Sequence, residues 1–278
     1  MNKYKDYFDI NPRYFPCVDD SALRAGVDWT EFFPHETFVK LLEETERVLA
    51  RQNKNSVWIE GAYGTGKSHA AWTLKNILEC PDVELRNYFD QHPQKLRNDL
   101  LNKLLGHKAG GKIVVAHRYA SSSIRGDRDL IFAVQESIRK ALIEAKVAHK
   151  GDATLKESVI KWIEKPLNKT HFDNLLKSDD YHHIFHGKDA DAVLAQLKSG
   201  KDVHDLMENI FKLASQEGIT ALDIDMDQLV AWLENVIDCN KLKALVLVWD
   251  EFSEYFKNNG HSLSEFQKLA AVSQHKPF

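Results

Sequence analysis

Gly61-Ala62-Tyr63-Gly64-Thr65-Gly66-Lys67-Ser68 sets glycines, a lysine and a hydroxyl at a spacing suited to holding a row of phosphates. Each residue type has its own physical task. At Gly61, Gly64 and Gly66 the missing Cβ lets the backbone curl until successive N–H groups point at one anion. Ala62, Tyr63 and Thr65 join that ring through their main chain, and the Tyr63 side chain is assigned no role. A helix opening at Lys67, with Ser68 and His69 in its first turn, adds the partial positive charge of a helix N-terminus, roughly half an elementary charge. Lys67 is then expected to reach the β- and γ-phosphates, and Ser68 to hold magnesium. The predicted ligand is a nucleoside triphosphate with magnesium. ATP is favoured over GTP, since no Asn-Lys-x-Asp base-reading stretch occurs.

A second pair of reactive residues closes the apolar run Ala244-Leu245-Val246-Leu247-Val248-Trp249, where Asp250 is followed at once by Glu251. The two acids have different work to do. Asp250 is expected to hold magnesium, mostly through the water shell that this ion gives up reluctantly. Glu251 is expected to polarise an attacking water, which points to hydrolysis rather than storage of the nucleotide. Each pattern has a plainer reading alone, a glycine-rich turn in one case and acids capping a strand in the other. Their joint occurrence, with the glycines lying between a strand-like and a helix-like segment, favours a site.

Taken together, GAYGTGKS and LVLVWDE resemble the Walker A and Walker B motifs of the additional-strand P-loop ATPases, the broad class that contains AAA+ and related ATPases. The resemblance covers the elements around residues 35–148 and 244–272. More loosely, an aromatic arm and helix ahead of the first motif, with a helical insert ahead of the second, is similar to large bacterial ATPases of anti-phage defence. The class implies a fourth strand lying between the two motif-bearing strands and carrying a polar sensor of the γ-phosphate. Residues 252–278 have room for a helix and little more, so the chain is expected to be the N-terminal portion of a longer protein, or to fill the gap with an unusual strand. No sensor and no arginine finger is assigned.

The elements that must position these residues follow from the pattern of apolar side chains. The fold class expected is α/β, a mostly parallel sheet with helices on both faces and an α-helical insert before the second motif. Residues 1–33, rich in aromatics and broken by Pro12, Pro16 and Gly26, form an extended arm over a neighbouring surface. Residues 34–149 are the first part of the core: a helix from Pro34 with Phe38, Leu41, Leu42, Val48 and Leu49 on one face, a strand at Ser56–Glu60, the helix KSHAAWTLKNIL ended by Pro81, a polar segment to Gly110-Gly111, a strand from Lys112 to Ala120, and a long helix from Asp127 or Arg128 to about Ala148. Residues 150–240 are the helical insert. Residues 241–278 hold the second motif strand, a continuous apolar run suited to a strand covered on both faces, and a final helix over Ser262–Val272.

At 278 residues, with 43% hydrophobic and 28% charged residues, the chain has the composition of a soluble globular protein with a proper core. A net charge of −4 excludes a global cationic field of the kind that drives indiscriminate nucleic-acid binding. Cys17, Cys80 and Cys239 follow no metal or disulfide spacing and read as structural thiols of a reducing cytoplasm. No stretch reaches the length of a membrane span or a signal peptide. Arg118 and Arg125 flank the end of the second strand, where ligands bind in open parallel sheets, although surface solvation is the simpler account. His171, His182, His183 and His186 have no cysteine or acidic pattern to support a metal, and Trp162 and Trp232 read as core of the insert. The function expected is ATP hydrolysis coupled to a conformational change in a larger complex or homo-oligomer, with nucleic acid among the candidate partners and no membrane. A nucleotide sensor without turnover, or a small-molecule kinase, are the alternatives. The insert, rich in Lys and poor in Arg, lacks the character of a kinase lid.

Overall fold

The computed structural model describes residues 28–52, 55–62, 65–119, 124, 126–147, 155–199, 203–219, 222, 226–259 and 264–278. Two β-branched, apolar runs pair as a parallel ladder, β1 over Ile113–Arg118 and β2 over Ala244–Trp249, with Ile113 opposite Ala244 and Arg118 opposite Trp249. Backbone bonds extend the pairing at both ends: Lys243 N–H donates to Lys112 (2.8 Å) and Asp250 N–H to Arg118 (2.9 Å). Side chains alternate across such a ladder, so each strand feeds two cores. Ile113, Val115 and Ala244, with Val246 and Val248, enter the first core, whereas Val114, Ala116 and Leu245, with Leu247 and Trp249, enter the second.

Helices cover both faces. On the first lie α1 (Glu36–Leu49), α2 (Lys67–Glu79), α3 (Asp82–Gln91) and α4 (Asn98–Ala109). On the second lie α5 (Asp127–Glu144) and, further along the chain, Met226–Asn240 and Ser264–Ala271. Parallel strands need a long crossover, and α5 begins it directly after β1. At the start of α1 the His35 ring accepts from the Phe38 N–H (3.3 Å), and the periodic apolar face buries Phe38 and Leu42 completely or nearly so. Lys108 of α4 reaches the last carbonyls of α2, those of Ile77, Leu78 and Cys80 (3.4, 3.1 and 2.6 Å), placing a cation where the helix dipole favours one. The described end of the expected N-terminal arm is packed down: Trp29 and Phe32 are buried, Trp29 meets Tyr88 at 5.2 Å, and the Tyr88 hydroxyl donates to the Phe32 carbonyl (2.7 Å).

A third core lies in the crossover. It gathers α6 (Leu155–Glu164), α7 (Pro166–Leu176), α8 (Asp179–His182), α9 (Ala190–Ser199) and α10 (Val203–Gln216) around Val159, Phe172, Leu197 and Ile210. Phe132 of α5 packs against it, its ring 5.9 Å from that of Phe211. Trp162 belongs to this core. Trp232, on α11 (Met226–Asn240), instead packs beneath the sheet with Leu229, Leu233 and Val236.

Several expectations are corrected. Residues 56–60 join no ladder: Trp58 is 62% exposed and Ile59 38%, and only Val57 leans on the first core. The strand preference of Val57-Trp58-Ile59 is a preference for a pleated, half-buried setting, and this segment, with Trp58 largely exposed, does not have one. The segment read as polar between Pro81 and Gly110 forms α3 and α4, because Leu85, Tyr88, Phe89, Leu100, Leu101 and Leu104 recur at helical spacing among the polar residues. After Glu251 comes α12 (Phe252–Asn259), and the expected final helix is the shorter α13 (Ser264–Ala271), followed by a 3-10 turn over Val272–Gln274. The described residues beyond Glu251 contain no strand.

The free edges of the ladder are treated differently. On β1, Glu79 accepts from the outward N–H of Val115 (2.7 Å) and Lys75 donates to its carbonyl (3.3 Å), a side-chain clip that closes the strand to further pairing. On β2, the outward N–H of Leu245 donates to Pro277 (2.8 Å). Burial raises the Glu79 carboxyl above its ordinary range, opposed by Lys75 and by the Val115 bond. With the folded value above the unfolded one, the stability this group contributes is complete below its unfolded pKa and is lost as pH rises through the folded one. Chemical denaturation across pH should therefore find Glu79→Gln, which keeps an acceptor for Val115, no less stable than the wild type at pH 7, with the wild type gaining on it as pH falls. Glu79→Ala, which strands the Val115 N–H, should cost about 1–3 kcal/mol. Equal losses for the Gln and Ala variants at pH 7 would contradict the clip.

Candidate functional site

The glycine-rich loop is described at Gly61-Ala62 and again from Thr65, while Tyr63 and Gly64 lie outside the described residues. Gly66 caps α2 in the left-handed region, at φ 82° and ψ 16°, a conformation that strains any side-chain-bearing residue. A Cβ on Gly61 would meet the Thr65 Oγ1 at 3.0 Å, a tight contact that a side chain there could relieve only by displacing Thr65. Thr65 closes the turn by donating to the Ala62 carbonyl (2.8 Å). The Lys67 ammonium folds over the loop and donates to the carbonyls of Gly61 and Ala62 (2.9 and 2.8 Å).

Ala70 N–H is bonded to the Gly66 carbonyl (2.9 Å). The N–H groups ahead of it, from Lys67 to His69, are those a helix leaves without an internal partner. Ser68 and His69 are half-buried on this turn. The His69 ring turns toward Phe32 (4.8 Å), and burial lowers its pKa, so the imidazole is held neutral and its contribution to an anion site is its main chain.

The acids sit at the carboxyl end of β2. Because Asp250 N–H still bonds to Arg118, strand alternation continues through Asp250 and sets it in line with Ala244, Val246 and Val248, on the face that α2 covers. The Asp250 carboxylate accepts from the Glu251 N–H (2.9 Å). Glu251 is exposed and takes φ 53°, a left-handed backbone in a residue with a Cβ, and this bend re-aims the chain before α12 begins at Phe252.

Among the described residues no hydrogen bond or ion pair joins Lys67 or Ser68 to Asp250 or Glu251. The two halves approach through rings instead. Trp58, three residues before Gly61, meets Phe252, the residue after Glu251, at 5.5 Å. Phe252 in turn lies 5.0 Å from Trp249 and stacks on Tyr255 at 5.5 Å. Neither Trp58 nor Phe252 was among the expected site residues; the available signal was an aromatic immediately after the acid pair.

Arg118 corrects the expectation of a solvated surface charge. Its guanidinium lies 5.8 Å from the Trp249 ring centroid, its Nε is buried, and desolvation lowers its pKa against the pull of Glu136. It sits at the same sheet edge as the acids because it ends the strand paired with theirs. Arg125 lies outside the described residues.

The remaining candidates fall elsewhere. His182 and His183 face each other at 5.9 Å, and among the described residues no three His, Cys, Asp or Glu side chains converge as metal ligands. Burial pushes the Cys80 thiol up to about 11, which makes it inert at neutral pH; Cys239 is exposed, and Cys17 lies outside the described residues. A cavity of about 470 Å³ opens among Lys75, Glu79, Lys108, Lys112 and Glu144, around the far end of α2 from Lys67. None of the described helices is long and apolar enough to cross a membrane.

The left-handed backbone at Glu251 should make stability depend on the residue placed there. Glu251→Gly should leave the fold intact and raise the thermal midpoint by a few degrees, since relief of a left-handed residue is worth roughly 1–2 kcal/mol, partly offset by the entropy of the unfolded glycine. Glu251→Val, with a branched Cβ at the same φ, should lower the midpoint. The reverse order in a melting experiment would mean that this bend is not adopted.

No protein-family model matches this chain, and neither a curated protein nor a solved structure matches it.

Proposed function

We propose that the chain binds ATP with magnesium at the glycine-rich loop and hydrolyses it to ADP and phosphate with Glu251. The observation that carries this reading is the alternation of β2, which directs Asp250 to the sheet face covered by α2, the helix that Lys67 and Ser68 begin. A phosphate-binding turn and a carboxylate on one face of a parallel sheet, with the carboxylate at the carboxyl end of its strand, are the two halves such a reaction needs.

The residues present suit the group they would hold. Gly66 in its left-handed turn and the first N–H groups of α2 form a concave donor surface. Lys67 already caps two carbonyls of that loop, and exchanging them for phosphate oxygens trades neutral acceptors for charged ones, which form the stronger hydrogen bonds. Magnesium needs few protein ligands beside phosphate oxygens, and a hydroxyl and a carboxylate, Ser68 and Asp250, are of the right kind. When bound, the ion supplies Lewis-acid neutralisation of charge on the phosphates.

The protein's own contribution follows from charge and position. Lys67 offsets negative charge that develops on the γ-phosphate as its bond to the leaving oxygen lengthens. Glu251, exposed at its bend, accepts a proton from the water it orients for in-line attack. Asp250 is tied through its carboxylate to the Glu251 N–H, so the two acids move as one turn. Energy from turnover is useful only if it changes the shape of an assembly, so a larger complex is part of the same proposal.

Phosphate release in magnesium and ATP, measured beside equilibrium nucleotide binding, tests the assignment. Lys67→Ala should lose binding. Glu251→Gln should bind ATP as the wild type does while release falls by about 10²–10⁴. Tight binding with release unchanged in Glu251→Gln would overturn the hydrolytic role and leave a nucleotide sensor.

A further inference from the structure

The glycine-rich loop and the acid turn belong to different parts of the chain, and among their described polar groups nothing ties one to the other. What ties them is a line of rings. Trp58 precedes the loop, and its ring stands edge to face against Phe252 at 5.5 Å with an interplanar angle of 60°. Phe252 follows Glu251 directly and is fixed from below by Trp249 (5.0 Å), Tyr255 (5.5 Å) and Phe266 (4.8 Å). Tyr255 is fully buried. Trp249 also carries the guanidinium of Arg118.

Trp58 would be costly to leave as it is for packing alone. It is 62% exposed in a segment that joins no sheet, where a smaller polar residue would do. Its ring meets Phe252, the residue that anchors the acid turn.

We infer that Phe252 is a positioning residue for hydrolysis, holding the Asp250–Glu251 turn in register with the phosphate loop by packing against Trp58. This rests on the nucleotide-hydrolysis reading above. The part proposed for Phe252 is indirect. Its ring acts through Glu251, whose left-handed backbone leads directly into the first turn of α12. An error near 1 Å in the placement of a water-orienting group is enough to cost on the order of a hundredfold in rate.

The effect expected is on turnover rather than binding. In Phe252→Ala, kcat should fall by about ten- to a hundredfold with the ATP dissociation constant within about threefold of the wild type. Trp58→Ala should lower kcat in the same direction, and the double variant should be no worse than Phe252→Ala, because Phe252→Ala already removes the contact that Trp58 makes. Phe252→Tyr and Trp58→Phe, which keep a ring at each position, should restore kcat. Far-ultraviolet circular dichroism and the melting midpoint of each variant separate misfolding from misplacement, and the aromatic-for-aromatic variants keep the test open if the alanine variants melt early.

Additive losses in the cycle, or a loss in binding equal to the loss in kcat, would overturn the positioning role while leaving the ATPase reading in place. A wild type that binds no ATP would overturn that reading and this inference with it.

Discussion

The parallel ladder between β1 and β2 is the constraint on which the rest depends. Parallel pairing forces a crossover, and here the crossover is long enough to hold the third helical core as well as α5 and α11. Alternation along the same ladder decides which side chain enters which core, so a slip of one residue would exchange Val115 with Val114 and carry Asp250 away from α2. The register is held by the burial of Val114, Val115, Ala116 and Leu245, which are inaccessible to solvent. Fully burying a valine or leucine is worth about 1.5–3 kcal/mol each, and a slipped register would give up several of these at once.

Around that ladder, polar groups are used where the backbone would otherwise be left open. Lys75 and Glu79 close the outer edge of β1, and Lys108 closes the end of α2. Both devices anchor α2 at its far end. Its near end is thereby free to present unpaired N–H groups beside the glycine-rich loop, the natural place for an anion. Left-handed backbone occurs in this region at Gly66, at the start of α2, and at Glu251, after β2, as it does elsewhere at Arg51, Lys146, His186 and Lys241.

Much of this was legible in the residues. Continuous apolar runs announced β1 and β2, and helical periodicity announced α1, α2 and α5. In residues 81–110 the same periodicity is diluted by the polar residues between Leu85, Tyr88, Leu100 and Leu104, which hide two helices. Val57-Trp58-Ile59 read as a strand because sequence reports preference, whereas a strand also requires an edge to pair with. The site was legible in its residue types and spacing but not in its geometry. Strand alternation could have predicted the side on which Asp250 lies, once β1 and β2 were aligned. Arg118 over Trp249 and Trp58 over Phe252 are contacts between residues 131 and 194 positions apart, and nothing local in the chain encodes them.

The central claim is that the loop of Gly61–Ser68 and the carboxylate of Asp250 form one nucleotide–metal site. Calorimetric titration with ATP, in magnesium and in a chelator, for the wild type and for Asp250→Asn, tests it most directly. The account predicts that magnesium tightens ATP binding to the wild type, and that Asp250→Asn binds metal-free ATP unchanged but loses this gain. Retention of the full magnesium effect in Asp250→Asn would contradict it, because the carboxylate would then have no part in the site that the loop forms.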